Sequence, residues 1–192
     1  MDLYQAIRGR RSIRKFKTDP VPKDVVLKVL DAANWAPSGV NLQQWKFYVV
    51  SGSKRDEIAA SYGCVTERNY PPAGERSAQQ ETFLTWAKNY GGAPFIIVAT
   101  MPRDEQQPRR RKMHLESVSA AFQNLLLAAH AEGLGTCWMT GPLADEAGLT
   151  EILHLPADEE IVALTPLGYP DQAGEEKPRL DPKLQEKVIW VE

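Results

Sequence analysis

The stretch RGRRSIRKFK, residues 8–17, places six cations in ten positions. Arginine offers a planar fork of N–H donors that matches phosphate or carboxylate oxygens, and a serine hydroxyl among such forks adds one more donor. The cluster of Arg8, Arg10, Arg11, Arg14, Lys15 and Lys17 therefore reads as a candidate clasp for an anion. A nucleic acid, a membrane surface, an acidic face of the same protein and a single phosphate group would each satisfy it.

The remaining residues narrow that choice. The 192 residues carry 23 Lys and Arg against 25 Asp and Glu, a formal net charge of −2 with a pI near 6.0. No global basic field draws such a molecule to nucleic acid or lipid, so the anion site must be local. No window approaches the ~18 apolar residues that span a bilayer, and the first residues show no apolar leader, which gives the expectation of a cytoplasmic chain without a membrane partner. The second basic run, PRRRK at 108–112, has no aromatics interleaved with its cations, so nucleic acid is not an expected partner. Cys64 and Cys137 stand apart with no metal-ligand neighbours, and no metal site is expected. Cys137, inside the apolar run GTCWMT, reads as a small buried hydrophobe.

The elements that must position the clasp follow from periodicity. Leu3, Ala6 and Ile7 give a short helix face over 1–8, and Val25, Val26, Val29, Leu30 and Ala33 give another after Pro22. WKFYVV at 45–50, PFIIVAT at 94–100 and EIVALTPLG at 160–168 are aromatic or β-branched and predict strands, the middle one central because it is apolar throughout. Between the first two strands the pattern predicts a helix from Ser53, a polar stretch over 64–77 and a helix from Ala78. The segment 113–133 has almost no polar face, so it should be buried all round, in part against a second copy of the chain. GLGTCWMTG at 133–141 predicts a strand and PLADEAGLTEIL a helix. The terminal KVIWV, after a proline-rich polar arm, predicts a strand that docks on a sheet edge of its own or a partner subunit. The three histidines, His114, His130 and His154, are placed on separate helices and read as structural.

Taken together, RRSIRKF at 10–16, APSGVNLQQW at 36–45, GLGTCWMTG at 133–141, PLGYP at 166–170 and KPR at 177–179 resemble the FMN-dependent nitroreductase family, over nearly the whole chain. The resemblance implies an α+β nitroreductase-like fold, with a central mixed, mostly antiparallel sheet flanked by helices. It implies one domain over 1–192, with about 171–192 an extended arm and strand. It further implies an intertwined homodimer whose C-terminal strand extends to the partner, with the FMN sites at the interface.

On that reading Arg10, Arg11 and Ser12 hold the FMN phosphate, and Arg14 reaches the inner chain or the pyrimidine edge. Lys177 and Arg179 complete the phosphate site. Pro37, Ser38 and Gly39 let backbone approach a flat ring, while Asn41 and Gln43 offer amides to its polar edge, contributed by the neighbouring subunit. Family versions carry a proline where this chain has Gln44. Met139, Thr140 and Gly141 are the candidates for a backbone N–H directed at N5. The implied activity is ping-pong hydride transfer from NADH or NADPH, through flavin N5, to a nitroaromatic, quinone or related small-molecule acceptor. No side chain is needed as a dedicated catalytic acid or base. Two alternatives stay open: another flavin-dependent reductase, of a dehalogenating or flavin-fragmenting type, and a non-enzymatic nucleic-acid binder using the arginine clusters.

Overall fold

A computed structural model describes residues 1–174 and 183–192. Among the described residues there are six α-helices and four strands. Helix α1 (Leu3–Gly9) is closed by a capping box in which Asp2 accepts the Gln5 amide and Gln5 returns a bond to the Asp2 amide. Helix α2 (Lys23–Asn34) follows Pro22 and leads to strand β1 (Lys46–Val50). Helices α3 (Gly52–Arg68) and α4 (Ala78–Ala87) precede strand β2 (Phe95–Pro102). Helix α5 (Pro108–Ala131) opens on a proline, then come β3 (Gly135–Thr136), α6 (Glu146–Leu153) and β4 (Glu159–Gly168).

The sheet order is β1-β2-β4-β3, and every strand pair is antiparallel. The expected mixed character enters only through an isolated parallel bridge between Ser12 and Thr136. Side chains alternate across β2, so Ile97 and Ala99 face one layer while Ile96 and Val98 face the other. The first layer is α2 and α5, with Val29, Val118, Phe122 and Leu125 closing on the sheet. The second is α3, α4 and α6, contributing Ile58, Ala59, Ala87 and Leu149. Each such fully buried aliphatic or aromatic side chain contributes about 1.5–3 kcal/mol by leaving water. Among the described residues no helix is long and apolar enough to cross a membrane.

Several expectations change in detail. The helix after Ser51 runs on to Arg68, so the polar connection shrinks to 69–77. There Arg76 straps the turn, donating to the Pro71 carbonyl at 2.7 Å and meeting Glu67 at 3.3 Å. The strand expected over 133–141 is reduced to Gly135–Thr136 plus a bridge from Met139 to Leu164, because Gly141 and Pro142 open a 3-10 turn. His114 and His130 share α5, and only His154 lies apart, capping α6 in the left-handed region.

Within a single chain helix α5 is not buried all round: Leu115 stays 39% exposed and Gln123 is exposed, which leaves surface of the kind expected to meet a second copy. Nor does α1 bury its expected stripe, since only Ala6 is inside and Leu3, Tyr4 and Ile7 face out. Among the described residues the terminal KVIWV has no strand partner; Leu184–Lys187 forms a 3-10 turn, and Ile189, Trp190 and Val191 are exposed.

One carboxylate joins three elements of the sheet. Glu159, 5% exposed at the start of β4, accepts hydrogen bonds from the Tyr48 hydroxyl at 2.8 Å and the Thr100 hydroxyl at 2.9 Å, and pairs with Lys46. Burial pushes its pKa up, but the bonds from Lys46, Tyr48 and Thr100 together outweigh that and hold it below the usual 4.5.

Candidate functional site

The cation cluster lies on the β3 edge of the sheet. The Ile13 amide donates to the Thr136 carbonyl at 2.8 Å, the Phe16 amide to the Gly91 carbonyl at 3.0 Å and the Lys17 amide to the Tyr169 carbonyl at 2.9 Å, so residues 12–17 run as a clamped extended segment. Ile13, Phe16 and Ala93 bury together beneath it. The side chains of Arg10, Ser12 and Arg14 share one neighbourhood on this edge, since all three act on the Cys137 thiol. Burial pushes that thiol up, and these neighbours only partly offset it, so Cys137 stays protonated and inert at neutral pH. His130 sits beside Arg10 and Arg11; burial, then the two guanidiniums, push its pKa down and keep the ring neutral. Arg14 lies over the Trp86 ring, 6.0 Å from its centre.

Of the cations that flank Arg10, Arg11 and Arg14, Lys15 pairs with Asp171 at 2.9 Å, and Arg8 lies over the Tyr4 ring. Residues 171–174 close back over the cluster. Gln172 accepts the Arg14 amide at 3.1 Å, and Gly174 packs on the Arg11 side chain. Lys177 and Arg179 lie outside the described residues.

Gly91 is the backbone support of this segment. Its φ of +64° is open to glycine and strained for other residues, and an added Cβ would collide with the Arg14 carbonyl oxygen. Gly91→Ala should lower stability by at least about 2 kcal/mol, since strain and clash add, and calorimetry of the purified variant checks it. A melting temperature equal to the parent's would show that the segment is free to move aside.

The amide-bearing loop is elsewhere. Pro37, Asn41 and Gln43 are exposed and Ser38 and Gly39 half-buried, in a tight turn where Val40, Asn41 and Gln43 all take positive φ. Ser38 Oγ accepts the Gln43 amide at 3.0 Å, and the Gln43 side chain donates to Asn41 at 2.9 Å. The loop is anchored on α5: the Gly39 amide donates to Ser117 Oγ at 3.1 Å, and Gly39 lies so close to Met113 that no Cβ fits. Arg10 and Arg11, by contrast, meet α5 at His130. At 1.5 Å per residue these anchor points are about 20–25 Å apart along the helix. One chain therefore does not bring the two expected halves of the site together.

Of the three residues proposed to face N5, Met139 is buried and its amide donates to the Leu164 carbonyl at 2.9 Å. That bond removes Met139 as an N–H donor and leaves Thr140 and Gly141, both exposed, as the candidates. Gly141 lies against the Tyr62 hydroxyl, and Tyr62 opens a ring cluster with Phe83 (6.3 Å), Trp86 (6.3 Å) and Tyr90 (5.8 Å), while Tyr70 joins through Phe83 (6.4 Å). These rings are thus gathered beside Arg14, which lies over Trp86. Lys88, the cation on the preceding helix, pairs with Glu67 at 3.2 Å.

Two further groups lie inside the quoted motifs without having been assigned a role there. The Thr136 hydroxyl, beside Ser12, and the Gln44 side-chain amide, next to the turn, are buried with no hydrogen-bond partner. Such groups are costly unless something else satisfies them.

A four-stranded antiparallel sheet between helical layers, with an arginine-serine clasp on its β3 edge, is a nitroreductase-like fold. The chain belongs to the nitroreductase family, whose model matches residues 7–169. It is 31% identical over 178 residues to YfhC of Bacillus subtilis strain 168, provisionally named an NAD(P)H nitroreductase, spanning 92% of this chain and 89% of that protein. It is 29% identical over 184 residues to the iodotyrosine deiodinase of Thermotoga neapolitana, spanning 92% and 93% respectively. A provisionally assigned nitroreductase of Desulfovibrio desulfuricans, solved in complex with FMN, superposes with a TM-score of 0.77 at 29% identity, covering 100% of this chain and 98% of that one.

Proposed function

We propose that two copies of this chain form an FMN-dependent oxidoreductase that takes hydride from NADH or NADPH and delivers it to a nitroaromatic, a quinone or a related acceptor. The separation of the two half-sites along α5 is the observation that supports it best. The clasp of one copy and the turn over 37–43 of the other would then build one site, with two such sites per dimer. The outward apolar residues Leu3, Tyr4, Ile7 and Leu115 and the exposed terminal Ile189, Trp190 and Val191 offer the surface that a second copy would cover.

The residues present suit FMN. Arg10 and Arg11 would bind a dianionic phosphate through their forks, Ser12 would donate its hydroxyl, and Lys177 and Arg179 would add charge from the arm. The unpartnered Thr136 hydroxyl and Gln44 amide supply polar capacity beside the two halves. Arg14, oriented over Trp86, would reach the inner chain. When bound, FMN supplies a ring that accepts hydride at N5 from a nicotinamide and yields it to an oxidised acceptor. The protein's part is to orient reductant and acceptor over that ring, direct an N–H of Thr140 or Gly141 at it, and exclude water with the rings around Tyr62.

The purified protein should be yellow and release FMN, about one per chain, on heating. Absorbance and mass identification check this, and an acceptor screen under NADH and NADPH follows. A colourless protein that takes up no added FMN would overturn the proposal. The likeness to an iodotyrosine deiodinase supports a second reading, reductive dehalogenation on the same flavin; turnover of iodotyrosine without turnover of nitroaromatics or quinones would move it to the front.

A further inference from the structure

We infer that Trp86 is a positioning residue for the cofactor: its ring holds the Arg14 guanidinium where the middle of FMN must pass, and so raises FMN affinity through Arg14. The inference rests on the oxidoreductase reading above. Arg14 is exposed, and an exposed arginine ordinarily samples many rotamers, a freedom that binding a ligand takes away at an entropic cost. A contact that restricts the head beforehand removes part of that cost.

Arg14 is restricted at three points. Its amide donates to the Gln172 side chain at 3.1 Å. Its carbonyl faces Gly91 so closely that no Cβ fits between them, and that same empty position lies 3.2 Å from the Trp86 ring. Its guanidinium lies over the ring, 6.0 Å from the centre. Backbone and head are thus both set by the end of α4 and the turn that follows it. Trp86 is itself held among Phe83 at 5.4 Å, Tyr90 at 5.8 Å and Tyr62 at 6.3 Å. Its indole N–H is buried with no hydrogen-bond partner, which costs stability. The position therefore uses the face of the ring and not its hydrogen bond, and tryptophan offers a cation the best such face.

The place at which the head is held gives it a use. On one side Arg14 acts on the Cys137 thiol together with Arg10 and Ser12, the phosphate end of the clasp. On the other it acts on the Tyr62 hydroxyl, which lies against Gly141. A ligand with its phosphate on Arg10 and Ser12 and its ring at Thr140 or Gly141 has its inner chain between those ends, beside Arg14. A mobile head would meet that chain only part of the time.

A double-mutant cycle tests this. FMN-loaded parent, Trp86→Leu, Arg14→Gln and the double variant are diluted, and the flavin fluorescence regained gives Kd for each. Trp86→Leu should weaken FMN binding about three- to tenfold, the scale of one cation–π contact, and Trp86→Phe, which keeps a ring, should restore most of the loss. In the Arg14→Gln background Trp86→Leu should change Kd by less than about twofold, because the head it would position is gone. A tryptophan with only a structural role would weaken binding equally in both backgrounds. That result, or a Trp86→Leu variant that binds FMN as tightly as the parent or more so, would overturn the inference. Circular dichroism checks folding, and Trp86→Met, which fills the gap without a ring, replaces Trp86→Leu in the cycle if the leucine variant does not fold. The parent separates the two readings: a parent that binds no FMN overturns the oxidoreductase reading, while a parent that binds FMN and gives an additive cycle overturns only this one.

Discussion

Replacing Arg10 and Ser12 together by alanine should give a folded, colourless protein. Each charge-assisted hydrogen bond to a phosphate is worth about 1.5–3 kcal/mol, so losing two weakens FMN binding by about 3–6 kcal/mol, a factor of roughly 10²–10⁴. The fold should survive because residues 12–17 are clamped through backbone, by the Ile13, Phe16 and Lys17 amides, which alanine leaves intact. The measurements are FMN per chain after purification and quenching of flavin fluorescence on titration, with circular dichroism as the check on folding. Arg10→Lys keeps the charge and loses the fork, and should fall between parent and double variant. Full flavin retention in the double variant would remove the clasp from the proposal.

Glu159→Ala should be strongly destabilising. It leaves the Thr100 hydroxyl, fully buried, and the Tyr48 hydroxyl without their acceptor, while the largely exposed Lys46 head is simply solvated. Unmaking a buried hydrogen-bonded carboxylate of this kind costs about 2–4 kcal/mol, which lowers the melting temperature of a chain this size by roughly 5–15 °C. The pH dependence has a definite sign. The folded pKa lies below the ordinary 4.5, so the contribution is full above pH 4.5 and is lost as pH falls through the depressed folded value. The gap in melting temperature between parent and variant should therefore hold from neutral pH to about 5 and narrow towards pH 3. A gap that stays constant over that range would show that Glu159 acts by packing alone.

The layers of the fold were legible in the sequence because apolar, β-branched runs mark β2 and β4 and a period-3.6 apolar pattern marks α2. The residues nominated for the clasp are Arg10, Arg11, Ser12 and Arg14, and the structure brings the side chains of Arg10, Ser12 and Arg14 into one neighbourhood beside Cys137. What the pattern misread has physical causes. A helix buries only the side its neighbours cover, so of the expected α1 stripe Ala6 went inside while Leu3 and Ile7 stayed outside. Met139 had the right type and position for a backbone donor, but its amide was claimed by Leu164, a pairing set by strand register and not by any motif. The Glu159 network joins residues 46, 48, 100 and 159, which are adjacent only after the sheet forms. Thr136 and Gln44 likewise became notable only when their surroundings left them unpartnered.

The two anchor points on α5 bear on how such chains can diverge. One turn inserted between Ser117 and His130 would carry the loop about 5.4 Å further from the clasp, which in the proposed dimer would damage both composite sites at once. The length of this helix is therefore among the least variable dimensions open to descendants of the chain. The connection over 69–77, strapped to its own helices by Arg76, carries no such obligation. Insertions there could reshape the aromatic rim while the clasp and the turn stayed in place, so new substrates could be explored without renegotiating the cofactor.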